Sequence, residues 1–191
     1  VTFAYPFCVA GNESFGSKYY IACRNCSGQV NSKSPGDFNQ ISSIVCGSVS
    51  SRNSSQSINA SADAAVKSGG WCVLLFHGID NDGGYSPVST GTLQGCVDYM
   101  DKNRDMFWVE SFGNVVRYIK ERDAVSVKEL SATDKRIALE VTDGLDDEIY
   151  NYPLSIQCRL PAKWDSGELT QNNKPVPFSI SQVIQFAIKL V

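Results

Sequence analysis

Residues 71–76 read Trp-Cys-Val-Leu-Leu-Phe, six apolar side chains without a polar interruption, bounded by Gly69-Gly70 before them and His77-Gly78 after. A strand with one wet face alternates apolar and polar residues, so an unbroken run of strand length implies cover on both faces, as in a parallel sheet or barrel. Parallel strands need long crossovers, usually helical, and the flanking sequence supplies them. Residues 57–70, SINASADAAVKSGG, predict a helix with Ser57 as N-cap and the glycine pair as its stop. Residues 90–102 predict another, with Leu93, Cys96, Val97 and Met100 on one face. Strand signals at VTFAYPF, KYYIAC and ISSIVCGS come earlier. MFWVES follows as a further strand, Phe112, Val115, Val116 and Ile119 repeat the helical spacing, and AVSVKEL closes the series. The expected class is α/β through residue 130.

From residue 131 to 191 the period changes to two, with Gly144, Pro153 and Pro161 as punctuation, predicting a small antiparallel β-sandwich-like module. The formal net charge of -3 leaves no basic footprint for nucleic acid. No apolar run reaches the roughly 18–20 residues of a membrane span. The opening VTFAYPFC lacks the pattern of a signal peptide and reads as the inside of a strand.

Seven cysteines and a single histidine, His77, bound the metal chemistry. Cys23-Arg24-Asn25-Cys26 is a CxxC, but a structural zinc site needs a second pair of ligands, and there is no second CxxC. Four sequons, at Asn12, Asn25, Asn53 and Asn59, lie in the Ser- and Asn-rich first third and are candidate glycan acceptors. Together with the cysteines they suit a secreted, extracellular or cell-envelope protein, most of its cysteines in disulfides.

The stretch Leu75-Phe76-His77, a Gly-rich loop, then LQGCVDYMDKNRDMFWVESFGNVVRYIKERDAVSV, resembles the C-terminal half of a polysaccharide deacetylase, a NodB-homology carbohydrate esterase. Leu75-Phe76-His77 matches the L-x-H that ends a late barrel strand. Trp108-Val109, Tyr118-Ile119 and Glu121-Arg122 match the strand and helix after it. FAYPF resembles the family's aromatic- and Pro-containing third motif, and the tail resembles β-modules appended to some bacterial members. The resemblance covers most of the chain and is strongest over 71–130. It implies a partial, distorted (β/α) barrel, and an acetylated polysaccharide as substrate. A divalent metal, usually zinc, would polarise the acetyl carbonyl and bind the attacking water. His77 would be the general acid that protonates the leaving group. Leu75 would line the acetyl pocket, and the backbone N–H of Phe7, after Pro6, would be the oxyanion donor. Arg24 would face the cleft, and Tyr85, in the loop after His77, would contact the sugar. Trp71 and Trp108 read as core, Asp80 and Asp82 as turn formers, and Asp37 as a poorly matching candidate for the carboxylate that tunes the histidine.

The departures divide the functional reading. The family's Asp-Asp-Gly motif and its His-containing helix start are absent, so an Asp-His-His metal site cannot form within one copy of this chain. One reading is the C-terminal part of a longer deacetylase, its metal ligands supplied by a missing N-terminal portion of the same protein or by another chain. The other is a degenerate scaffold kept as a non-catalytic carbohydrate-binding or extracellular structural module.

Overall fold

The structure is a computed structural model that describes residues 1–10, 13–159, 164, 166–180 and 183–188. It divides into two compact units, Val1–Gly113 and Asn114–Val191.

In the first unit β1 (Thr2–Ala4) runs parallel to β2 (Ala22–Arg24), with Thr2 opposite Ala22 and Ala4 opposite Arg24. Arg24 bridges, again in parallel, to Ile41. The same segment continues into β3 (Ile44–Cys46), which pairs in parallel with β4 (Leu74–Phe76), Ile44 opposite Leu74 and Cys46 opposite Phe76. The strands therefore neighbour one another in chain order. Helix α1 (Glu13–Tyr19) connects the first two and α2 (Ser55–Ser68) the last two.

Local chemistry explains α2. The Ser54 hydroxyl accepts from the Ser57 N–H, and the Ser57 hydroxyl accepts from the Ser54 N–H, a reciprocal capping box. Ser57 is thus the third helical residue, and the cap lies three positions earlier than expected. At the other end Gly69 takes a left-handed φ of 60° and the Gly70 N–H returns to the Ala65 carbonyl. Ile58, Ala62 and Ala65 bury the inner stripe. The next helix, α3 (Thr90–Lys102), is capped by Ser89, whose hydroxyl accepts from the Thr92 N–H. Its buried face is rotated from the expected one. Cys96 is in the core, Val97 is exposed, and Tyr99 turns toward α2 to donate to Asp63 at 2.8 Å. Cys46, Ile58, Val88 and Cys96 form the core of this unit, with Leu74, Phe76 and Leu93 packed against it.

Two expected strands behave differently. MFWVES forms no strand. Residues 103–106 make a turn closed by Met106 and Phe107 N–H groups on the Asn103 carbonyl, and Trp108 and Val109 stay 51% and 64% exposed. The turn takes the Met106 and Phe107 N–H groups, and the segment does not join β4, which among the described residues pairs with β3 alone. AVSVKEL does form β5 (Ser126–Ala132), but it pairs antiparallel with β6 (Ile137–Thr142) as a hairpin rather than extending the parallel series. Among the described residues no sheet closes into a barrel.

The second unit carries most of α4 (Phe112–Ala124), that hairpin, and an antiparallel sheet of β7 (Leu154–Arg159), β11 (Val183–Ile188) and β10 (Phe178–Ile180). A small hairpin joins β8 (Thr170–Gln171) to β9 (Lys174–Pro175) through Asn172-Asn173. Both asparagines have positive φ, the geometry of a tight two-residue hairpin loop. Leu154 is the centre of its core, against Tyr118, Val125, Val141, Ile156 and Phe178.

Glu121 of α4 is 0% exposed. One carboxyl oxygen accepts from the Tyr152 N–H at 2.8 Å, and the other has no hydrogen-bond partner. Burial raises its pKa most, Asp143 and Asp147 add to the rise, and the Tyr152 N–H and Arg117 oppose it. A carboxyl with a raised native pKa binds its proton more tightly when folded, so its contribution falls as pH rises from the ordinary carboxylate range through the native pKa. Replacing Glu121 by Gln keeps an acceptor for Tyr152 and removes the charge. E121Q is expected to be more stable than the parent at pH 7 by on the order of 1 kcal/mol, the gap closing toward pH 4. Urea unfolding across that range measures it, and a pH-independent loss of stability would contradict it.

Candidate functional site

His77 follows the C-terminal end of β4, the end where parallel sheets present their loops. Leu74 and Phe76 face the core with α2 and α3, so by the alternation of a strand Leu75 points to the opposite face, half-buried. The imidazole is exposed and meets the Tyr85 ring edge-on, centroids 5.3 Å apart and planes at 88°. Tyr85 is itself 66% exposed.

The loop that holds this pair is built from its own backbone. The Val88 N–H donates to the Gly78 carbonyl and the Asp80 N–H to the Val88 carbonyl, so both ends are stitched together. Asp82 accepts from Ile79 N–H at 2.9 Å and Gly84 N–H at 2.8 Å, and Asp80 accepts from the hydroxyl and the N–H of Thr90. These bonds hold both carboxyls below their ordinary value. Gly78 and Gly84 lie face to face, a Cβ on either coming within about 3 Å of the other's Cα. The loop also rests on the end of β3. A Cβ at Gly47 would stand 1.9 Å from the Ser86 carbonyl oxygen, and Ser48 N–H donates to Pro87 O. Asp80 and Asp82 are turn formers, as their Gly- and Asn-rich setting implied.

The other expected site residues gather elsewhere. A disulfide joins Cys8 to Cys26, closing a ring that holds Pro6, Phe7 and Arg24 at the ends of β1 and β2. Phe7 has φ 54° and is 97% exposed. Arg24 is level with Ile41, three residues before Ile44, and His77 is three residues past Leu74, the partner of Ile44. Six residues at roughly 3.3 Å each put the two neighbourhoods about 20 Å apart along the strand direction. His77 with Tyr85 is one cluster, and Pro6, Phe7 and Arg24 another. Asp37 caps its own turn, accepting from Asn39 N–H. Trp71 stacks on Phe112, centroids 5.4 Å apart.

The CxxC sulfurs part company: Cys26 is in the disulfide while Cys23 is buried beside Asn39. Burial pushes the Cys46 and Cys72 thiols up to about 11, which suits inert core thiols rather than nucleophiles. Among the described residues no group of three His, Cys, Asp or Glu side chains could hold a metal. With one histidine, turned against Tyr85, this chain's residues do not fit the zinc set of the deacetylase resemblance. Of the sequon asparagines, Asn12 lies outside the described residues. Asn25 donates to Gln40 and accepts from Ser27 N–H, and Asn59 is on α2 with its carbonyl oxygen buried. Asn53 is exposed just before the α2 cap.

The chain is similar to the gellan lyase of a Bacillus species, 30% identical over 198 aligned positions that cover 93% of this chain. It spans only 8% of that protein's length. No family model and no solved structure matches. The relative is a polysaccharide lyase by name. Among the described residues no helix is long and apolar enough to cross a membrane.

The two aspartates set a pH limit on the loop. Because their native pKa values are depressed, their support is complete above the ordinary value near 3.8 and is lost as pH falls through the lowered native values. Amide exchange at Ile79 and Gly84 should be slow at neutral pH, and Asp82→Asn, which turns one acceptor into a donor, should accelerate it at one of the two. Unchanged protection at both amides would show that the loop is held some other way.

Proposed function

We propose that this chain is a polysaccharide-recognition segment of a larger extracellular polysaccharide-processing protein. The observation that carries the reading is the exposed His77–Tyr85 pair on a loop braced by Asp80 and Asp82 at the C-terminal end of a parallel strand. An aromatic ring held rigidly in solvent offers a flat apolar surface to a pyranose, and a neighbouring imidazole offers a hydrogen bond to its hydroxyls. The similarity to a segment of a gellan lyase supports a glycan as the ligand class. The Cys8–Cys26 disulfide supports an oxidising, extracellular setting.

A second reading is favoured by one observation: Leu75-Phe76-His77 sits at a strand end as the deacetylase resemblance requires. In that reading the complete protein removes acetyl groups from a polysaccharide, with His77 as general acid. The Phe7 N–H is the oxyanion donor, and the metal and base come from outside this chain. Position separates the two readings less well than chemistry does.

The purified chain is expected to bind acetylated polysaccharide in affinity electrophoresis, to lose about tenfold in affinity on Tyr85→Ala, and to release no acetate with zinc added. Acetate release abolished by His77→Ala would replace the binding reading with a complete active site. Absence of glycan binding would remove the recognition reading, and absence of acetate release by the longer protein that supplies the metal and base would remove the second.

A further inference from the structure

The ring closed by the Cys8–Cys26 disulfide does more than tie two strand ends. Phe7 and Cys8 are successive non-glycine residues in the left-handed region, at φ 54° and 61°. Such backbone is unfavourable for an L side chain and persists only where surrounding structure enforces it. Here the enforcement is visible: the disulfide, Cys8 N–H on the Tyr5 carbonyl, Val9 N–H on the Pro6 carbonyl, and Tyr5 N–H on the Arg24 carbonyl. The outcome of that strain is a phenylalanine 97% exposed, which contributes nothing to a core.

Arg24 pairs with Ala4, and its carbonyl accepts from the Tyr5 N–H at the start of that turn. Its guanidinium is half-buried, and one nitrogen donates to the Ser43 hydroxyl at 3.4 Å. Ser43 is fully buried and donates its own hydrogen bond to the Asn25 carbonyl, so it orients the guanidinium without neutralising it. Among the described residues no carboxylate pairs with Arg24. Burial lowers its pKa with no charged neighbour contributing. Arginines taken partly out of water are ordinarily paired with an anion. With one Nη anchored, the remaining Nε–H and Nη edge is a fork of the width that a carboxylate accepts side-on.

We infer that Phe7 and Arg24 form a subsite for an acidic sugar, the phenyl ring stacking on the pyranose face and the guanidinium fork holding its carboxylate. The subsite rests on the polysaccharide reading above and deepens it, adding that the glycan carries uronate residues. It is separate from the His77–Tyr85 pair by the register of the sheet.

The test uses the intact chain and two forms of one glycan: a uronate-containing polysaccharide and the same material after carboxyl reduction. Affinity electrophoresis should show the wild type at least about tenfold tighter on the acidic form, with the margin shrinking as salt is added. Arg24→Gln should abolish that margin and leave the neutral form unaffected, whereas Phe7→Ser should weaken both forms alike. Thermal melts check that each variant folds. Should Arg24→Gln fail to fold, the Arg24 Nε–Hε resonance of the wild type, titrated with galacturonate and then galactose, reads the same contact, and a shift with galacturonate alone is the expected result. Equal affinity for both forms, a margin that survives Arg24→Gln, or no galacturonate-specific shift overturns the subsite while leaving glycan recognition standing. Failure to bind either form overturns both.

Discussion

The parallel ladder between β3 and β4 is the constraint on which the first unit depends. It is three residues long on each side, and its stability comes from what covers it: Cys46, Leu74 and Phe76 turned toward Ile58 of α2 and Cys96 of α3. Burying side chains of this size contributes about 1.5–3 kcal/mol each for the larger ones, so helices and ladder form together or not at all. Everything of functional interest in this unit hangs from the ladder. The His77 loop leaves one strand end and rests on the other. The Arg24 row reaches it through the extended segment from Ile41 to Ile44.

Much of this was legible where the information is local. The α2 stop at Gly69-Gly70, the span of α3, and the antiparallel character of the tail follow from capping chemistry and periodicity. The misreadings have physical causes. Ser54 and Ser57 are equally good caps, and the reciprocal bond between them decides which is outside the helix. Val97 and Tyr99 lie on different sides of α3, and only the Asp63 carboxylate across the helix pair selects Tyr99. MFWVES has the composition of a strand, but its first amides close a turn on the Asn103 carbonyl. AVSVKEL is a strand whose partner lies after it in the chain, and neither propensity nor pattern encodes a partner's direction.

The candidate site divides in the same way. His77 and Tyr85 were readable together because one short loop carries both. Grouping Arg24 with them required a strand register, which no local pattern supplies, and the register puts it with Phe7 instead. The disulfide between Cys8 and Cys26 was likewise beyond spacing arguments, since seven cysteines admit many pairings. The burial of Glu121 escaped notice for a simpler reason. It sits in a run of charged residues, Lys120 to Asp123, that reads as the solvent face of a helix, and only the fold over α4 reveals that it is inside.

The loop from His77 to Pro87 begins and ends at nearly the same place, because Gly78 and Val88 are bonded backbone to backbone. Besides its internal bracing it rests on Gly47, Ser48 and Val49, whose N–H donates to the Ser86 hydroxyl, and on the Asp80 contact with Thr90. A segment of this kind is a cassette. Exposed residues such as Asn81 and Tyr85 can be exchanged without asking the strand or the helix to move. Related chains can therefore diversify at this position while their cores stay nearly constant, provided position 47 keeps no side chain.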